Sequence, residues 1–388
     1  MIMPISNMVE AGSAAALASF ASSVLIVMSQ GWHGKHSFDH DLSGVQKFHT
    51  TAVPRVGGIA VITGIIFSLV FLAFSNPLVE TEVDIKDAFK LLLAACPIFF
   101  AGTMEDLTKK VSVRVRLCAS ILSALLASWL LGATIDGLDI WGVDTLLTLA
   151  PIAIVVTAFV VAGGTNAINI IDGFHGVAAS AVIIMLAALG FLAWRQGDMF
   201  VTQLAILGVG SAFGFLLVNY PTGRLFVGDG GAYLLGFLVS EIMILLLIRN
   251  PAVNAWQVLA ICAYPVIEVL NSIYRRKFIR KASPGRPDSL HLHTLIYRRL
   301  VCQMVRHNPN RPWIRNASVV CFVGAWIAVM GFAAVMLGDG IPGAVAVVLV
   351  QVFLFMMVYA RLVRGRWSRF SNRVKTIGLL SVRDVELP

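Results

Sequence analysis

Apolar residues run along this chain in long unbroken stretches, with polar and charged residues gathered between them. Eleven such stretches stand at 13–30, 57–75, 89–104, 116–133, 147–164, 177–194, 200–218, 231–248, 255–273, 317–336 and 343–361. A hydrocarbon core of ~30 Å needs roughly 17 to 25 apolar residues per helix, which is the size of these runs. Because they are continuous and not alternating, they predict helices and exclude a β-barrel. The expected fold is all-α: a polytopic integral membrane helix bundle of about eleven transmembrane helices. It forms one domain over residues 1–361, followed by a basic tail at 362–388.

Composition agrees with the pattern. With 58% hydrophobic and 13% charged residues and a mean hydropathy of +0.83, the chain is too apolar for a soluble fold of this length. Cys96, Cys118, Cys262, Cys302 and Cys321 show no CxxC spacing, and four of them lie in apolar runs, which suggests neither a disulfide framework nor a zinc site. The first run has no basic leader and no evident small-residue cleavage site, so it is expected to be a retained span.

The net charge of +9 becomes informative once it is placed on the loops. The alternate segments 31–56, 105–115, 165–176, 219–230, 274–316 and the tail hold nearly all the Lys and Arg. The other set is acidic (Glu80, Glu82, Asp84, Asp87, Asp136, Asp139, Asp144), with only Lys86, Arg195 and Arg249 as basic members. The positive-inside rule then predicts a periplasmic N-terminus and a cytoplasmic C-terminus. The basic tail (Arg361, Arg364, Arg366, Arg369, Arg373, Lys375) reads as an orientation signal and an anchor to anionic membrane lipids, and no nucleic-acid partner is expected.

Five polar segments interrupt this pattern. Gly163 to Gly176, GGTNAINIIDGFHG, is expected to be a polar loop at the membrane surface. Asn166, Asn169 and Asp172 fall three apart, so on a helical turn they share a face and suit a cation or a nucleotide; the same residues are ordinary turn formers. In KFHTTAVPRVGG (47–58), Lys47, His49 and Arg55 precede Gly57-Gly58 at a helix start, a place suited to an anion or simply to positive-inside charge. In GTMEDLTKKVSVRVR (102–116), Glu105 and Asp106 are followed by Lys109, Lys110, Arg114 and Arg116. Adjacent helical side chains diverge by ~100°, so the two carboxylates point apart, as a general base and a supporting group or as a solvated helix end.

In NYPTGRLFVGDGG (219–231), Asp229 sits among glycines before a span, placed to bind Mg²⁺ carrying phosphates, with Phe226 available to stack on a base; GDGG is also a common turn. In HLHTLIYRR (291–299), His291 and His293 point the same way on an extended segment and suit a diphosphate. A transition-metal site there lacks a third ligand nearby in sequence. Two carboxylates, Glu241 and Glu268, lie inside apolar runs and are expected to face the bundle interior, protonated or partnered.

All five polar segments fall on the side that charge bias alone marks as cytoplasmic. A transporter would instead place polar residues near the midplane of broken helices. The arrangement favours an active site where an anionic, metal-bound substrate meets a lipid.

PRVGG, the acidic pair of MED followed by Lys109, NAINIIDG, FVGDGG and HLH, in this order over residues ~45 to ~300, resemble the polyprenyl-phosphate N-acetylhexosamine-1-phosphate transferase superfamily, glycosyltransferase family 4. The resemblance implies transfer of a sugar-1-phosphate from a UDP-sugar donor to undecaprenyl phosphate in the bacterial inner membrane, releasing UMP, with Mg²⁺ or Mn²⁺ as cofactor. The product would begin a lipid-linked cell-envelope glycan. By the same resemblance, Asp229 and Asn169 are the metal residues, and Glu105, Asp106, Asp172, His291 and His293 are catalytic. Asn219, Phe226, His175, Lys47, His49, Arg55 and Lys109 border the donor. A homodimer is compatible with such a bundle. Glu105 stands where the family has a first aspartate, His175 where a second aspartate follows DG, and Thr294 where a further histidine is usual. Those departures motivate a second class of function, a member without catalysis acting as a lipid-linked transporter or scaffold.

Overall fold

The computed structural model describes residues 5–38, 52–75, 82–279, 281 and 288–365. Eleven long helices account for the expected spans. They are α1 (Ile5–Met28), α2 (Gly57–Ser75), α3 (Glu82–Thr108), α4 (Val113–Leu131), α5 (Ala150–Ile171), α6 (Val177–Arg195), α7 (Met199–Asn219), α8 (Gly228–Arg249), α9 (Ala255–Tyr274), α10 (Val319–Leu337) and α11 (Ile341–Val363). Shorter helices occupy Gln30–Ser37, Val143–Leu147, Leu292–Ile296 and Trp313–Ala317, and no strand occurs among the described residues. The protein is a multi-pass membrane helix bundle.

Three expectations need correction. The first helix begins at Ile5 and not at 13, because Met8 and Ala11 already pack into the interior ahead of the apolar run. The third begins at Glu82, so the part of the acidic segment from Glu82 to Asp87 is helical. The stretch from Gly163 is not a loop up to Ile171: α5 continues through Asn166 and Asn169 and ends at Asp172. The polar residues there mark where the helix leaves the apolar core, and its hydrogen-bond ladder outlasts its hydrophobic face.

The centre of the bundle is α8, buried along most of its length from Gly228 to Leu246. It packs against α2, α3, α5 and α6, while α1 lies on α2 and α7, and α9 joins α10 and α11. Lipid tails are as apolar as leucine side chains, so close approach and interhelical polar ties are what hold such helices together. Both are present. A Cβ on Gly102 of α3 would lie 2.6 Å from Gly230 Cα, and one on Gly231 would lie 2.7 Å from Gly58 Cα, so α2, α3 and α8 meet backbone to backbone. In α1 and α2, Ser68 Oγ donates to the Ala11 carbonyl at 2.6 Å. The segments leading into α2 and α8 also pair: Phe226 N–H donates to Pro54 O, Gly57 N–H to Phe226 O and Gly58 N–H to Val227 O, each at 2.9 Å. The two glycine motifs of the sequence are therefore one seam.

Of the two carboxylates expected inside the bundle, Glu268 is partnered, whereas neither oxygen of the fully buried Glu241 has a hydrogen-bond partner. A buried polar group without partners is unfavourable. Glu241→Leu is therefore expected to raise the melting temperature of the detergent-solubilised protein by about 1 °C, the shift that ~1 kcal/mol gives in a chain of this length. A comparable fall would show that the carboxyl has a stabilising partner.

Candidate active site

The seam brings one end of five helices together. Asp106, on the last turns of α3, is 2% exposed. Its Oδ1 accepts the Asp229 N–H at 2.8 Å and its Oδ2 the Gly230 N–H at 2.9 Å. It thus satisfies two of the amides that a helix N-terminus leaves without intrahelical partners. Gly228, with φ +71°, makes the turn into α8, and a Cβ there would run into the Arg55 carbonyl.

Asp229 then lies between two guanidinium groups. Arg55 Nη2, from the segment before α2, is 3.3 Å from Asp229 Oδ1 and 3.4 Å from Asp106 Oδ1. Arg116 Nη1, from the first turn of α4, binds Asp229 Oδ2, with its guanidinium 5.9 Å from the Tyr233 ring centre. Asp172 caps the C-terminus of α5 on the same side. Burial, and then the charge of Asp229, push its carboxyl up to about 7 against the opposing pull of Arg55. Asn169 Nδ2 donates to the Tyr233 hydroxyl at 3.3 Å, whereas Asn166 Nδ2 turns back to the Ala162 carbonyl of its own helix. Glu105 faces away from Asp106: its Oε2 accepts the Val111 N–H at 2.7 Å and shapes the α3–α4 turn, where Lys109 is exposed with φ +55°.

A second wall comes from three connecting segments. Asn219 is spanned by two ties, accepting the Gly176 N–H at 2.7 Å and donating to the Leu225 carbonyl at 2.6 Å. His175 donates its backbone N–H to Asn316 Oδ1 at 2.8 Å. Its ring Nδ1 lies 3.1 Å from the Pro221 carbonyl, an acceptor only, so that nitrogen carries the proton. The His175 ring sits 5.8 Å from that of Phe226. His293 is edge-on to Phe174 at 5.7 Å and stacked on His291 at 5.3 Å with 5° between the planes. Burial first, then His291, bring the His293 imidazole down to about 3, so it is neutral at any physiological pH.

The structure therefore gathers Arg55, Asp106, Asn169, Asp172 and Asp229 in one polar cluster, with His175, Phe226, His291 and His293 around the adjoining 173–176 turn. Glu105, Lys109 and Asn219 serve the turns that frame it. Lys47 and His49 lie outside the described residues. Arg116, Tyr233 and Asn316 were not singled out as site residues. For Arg116 a signal existed: Ser112 is a helix N-cap whose hydroxyl accepts from Val115 N–H, which places Arg116 one turn into α4 and level with the acidic end of α3.

No group of three or more His, Cys, Asp or Glu side chains arranged to cage a metal ion occurs among the described residues. Mg²⁺ rarely needs one, since one or two carboxylates, waters and substrate phosphates complete its octahedron. Asp229, with Asp172 close enough for their charges to repel, fits that requirement, because a divalent cation would relieve the repulsion. The Asn169 amide nitrogen points to Tyr233, so its carbonyl oxygen would be the atom offered to a cation.

Residues 88–247 match the model of Glycosyl transferase family 4. The chain is 26% identical over 252 residues to a probable undecaprenyl-phosphate N-acetylglucosaminyl 1-phosphate transferase of Bacillus subtilis (strain 168), a match covering 64% of this chain and 66% of that protein, just under two thirds of its length. It is 28% identical over 265 residues to the undecaprenyl-phosphate alpha-N-acetylglucosaminyl 1-phosphate transferase of Yersinia pestis, covering 66% of this chain and 69% of the relative. It is 25% identical over 352 residues to the protein of that same name from Salmonella typhi, covering 86% and 87%.

The Asp172 carboxyl generates a test. Its folded value of about 7 lies above the ordinary 3.8, so the folded chain holds a proton there that the unfolded chain has released. The sign follows from linkage: this contribution to stability is complete below the unfolded value and is lost as pH rises through about 7. Asp172→Asn mimics the protonated acid. Without divalent ions, its lead in melting temperature over the wild type is expected to be level above about pH 7 and, between about pH 4 and 7, to grow as pH rises. A constant gap across that range would place the titration elsewhere.

Proposed function

We propose, from the premise that this chain belongs to glycosyl transferase family 4, that it transfers an N-acetylhexosamine-1-phosphate from a UDP-sugar to undecaprenyl phosphate and releases UMP. The coarser activity, sugar-1-phosphate transfer to a polyprenyl phosphate, is the one its relatives' names carry. The observation that supports the reading most is the cluster at the start of α8, where Arg55 and Arg116 flank Asp229 and Asp172 holds its proton near neutral pH. The orientation expected from charge bias puts this end in the cytoplasm of a bacterium, where UDP-sugars reside, with the N-terminus periplasmic and the bundle in the inner membrane.

Phosphoryl transfer requires in-line placement and neutralisation of the diphosphate charge far more than covalent assistance. Arg55 and Arg116 supply fixed positive charge, and both would turn from Asp229 toward the diphosphate oxygens. Asp229 and the Asn169 carbonyl would hold Mg²⁺, which when bound offsets charge on the transferring phosphoryl group. Asp106 has both oxygens committed to α8 amides, so its role is to fix the backbone that carries Asp229. A phosphate monoester has a second pKa near ~6, so little base strength is needed to ionise the acceptor. Asp172, with a proton affinity matched to neutral pH, takes the proton that remains. Phe226, half-buried and backed by the buried His175 ring, would be the surface for the uracil ring.

The test is release of UMP by purified protein supplied with undecaprenyl phosphate, Mg²⁺ and a panel of UDP-N-acetylhexosamines. No UMP from any donor would sink the reading. Asp229→Asn is expected to lower turnover by at least ~100-fold, or about 2.7 kcal/mol, at an unchanged melting temperature. Near-normal turnover at low Mg²⁺ would remove Asp229 from the metal site.

The acidic pair should be unequal. Asp106→Asn disturbs the cap that sets Asp229, whereas Glu105→Gln loosens the α3–α4 turn and leaves that cap intact, so their rates are expected to differ by at least about tenfold, or ~1.4 kcal/mol. Equal small losses would contradict the capping role.

A further inference from the structure

Glu268 lies in α9, about 9 Å along the axis from the helix end at Tyr274, and is fully buried. A charge at such depth is costly unless it is paired. Its partners all belong to one short segment on the other side of the site. Both carboxylate oxygens accept the Leu292 N–H, at 3.1 and 3.0 Å, and Oε1 is also 2.9 Å from His291 Nδ1. Leu292 is the first residue of the helix Leu292–Ile296, and the side chain of its N-cap, His291, makes no capping bond of its own. The cap is thus provided by another span.

The carboxylate can only accept, so Nδ1 of His291 carries the proton. The other nitrogen, Nε2, is 3.8 Å from Asp288 Oδ2. Asp288 is in turn bound by Arg275 and by Ser272 Oγ, both at the end of α9, while Arg275 Nη1 reaches the Tyr359 hydroxyl of α11 at 2.7 Å. From Asp288 to Leu292 the segment is therefore pinned by α9. The far side of the segment faces the site. His291 stacks on His293, and a Cβ on Gly173 would be 3.0 Å from His293 Nε2, immediately after Asp172 in the chain.

We propose that Glu268 is a positioning residue: it holds the His291 ring and the first amide of the Leu292–Ile296 helix so that the paired imidazoles are presented against Gly173, beside Asp172. This rests on the reading above, that Asp172 takes the proton of the acceptor phosphate. A purely structural buried acid would lower stability and both substrate constants together when replaced. A positioning acid loses turnover through His291 alone.

The experiment uses the full chain in lipid nanodiscs, with Glu268→Gln, Glu268→Asp, His291→Ala and the double variant Glu268→Gln/His291→Ala. Glu268→Gln is expected to lower kcat for UMP release at least about tenfold, with KM for undecaprenyl phosphate within about twofold of wild type, and Glu268→Asp to recover part of that loss. In the His291→Ala background, Glu268→Gln should cost nothing further, since coupled positions are non-additive. Losses that add, or unchanged kinetics, overturn the proposal. Hydrogen exchange supplies a readout that needs no substrate: amides in 288–301 should exchange faster in Glu268→Gln while the rest of the chain keeps its protection. Unchanged exchange there also overturns it. If the wild type releases no UMP, the functional reading fails by itself and exchange still decides whether Glu268 holds the segment. If Glu268→Gln does not fold, Glu268→Asp and His291→Ala take its place in both measurements, and normal local protection in both is the overturning result.

Discussion

The structure turns on the contact between the Asp106 carboxylate and the first amides of α8. A helix N-terminus buried in a membrane protein must find acceptors for its free amides, because no bulk water reaches them. Here the acceptor comes from a different helix, so capping α8 also fixes its angle to α3. The glycines make that possible: side chains at Gly102, Gly230, Gly231 or Gly58 would hold the backbones apart, and Asp106 could not reach. Asp229 is the second residue of α8, so the same contact that closes the fold sets the position of the carboxylate that Arg55 and Arg116 flank. Fold and site share one interaction.

From it follows the electrostatic character of the cluster. Asp106, Asp172 and Asp229 are drawn close by α3, α5 and α8, and two arginines from α4 and the lead-in to α2 only partly neutralise them. Burial first, and then the charge of Asp229, raise the proton affinity of Asp172. Sites of this kind, with like charges held together by a rigid scaffold, are poised to take up a cation or a proton. The opposite end of the bundle is built differently. There Asp198 caps α7 and pairs with Arg249 at 2.7 Å, and Arg195 pairs with Asp339, so its charges are matched locally and fix the connections.

Much of this was legible from the sequence. Hydrophobic run length located every span, and α2 was bounded at both ends, because Gly57 and Ser75 are also where the apolar pattern stops. Bounds failed where helix and apolar run part company, as in α5, whose last turns carry Asn166 and Asn169. Charge bias grouped the motif segments at one end, where the structure joins them. What spacing could not reveal was which residue meets which. Arg55 and Asp229 are 174 positions apart, and the N-cap that sets Arg116 level with the end of α3 does not name Asp229 as its partner. The division of labour between Glu105 and Asp106 also depends on the approach of α8, which no pattern in 102–116 encodes.

The same long-range logic accounts for the departure at His175. A carboxylate at this place, which the family resemblance leads one to expect, would set an acceptor against the Pro221 carbonyl, and two acceptors repel. A histidine protonated at Nδ1 donates there instead, and its backbone amide is already taken by Asn316, so the residue ties the turn after α5 to the segment after α7 and to the short helix before α10. Asn219 spans the same gap from the other direction, through Gly176 and Leu225. The substitution thus fits its surroundings: the loop that bears Phe226 is held by donors where an acid would have pushed it away. His175 is best understood as the residue that selects this arrangement of the 219–226 segment, and with it the face that Phe226 shows to the site.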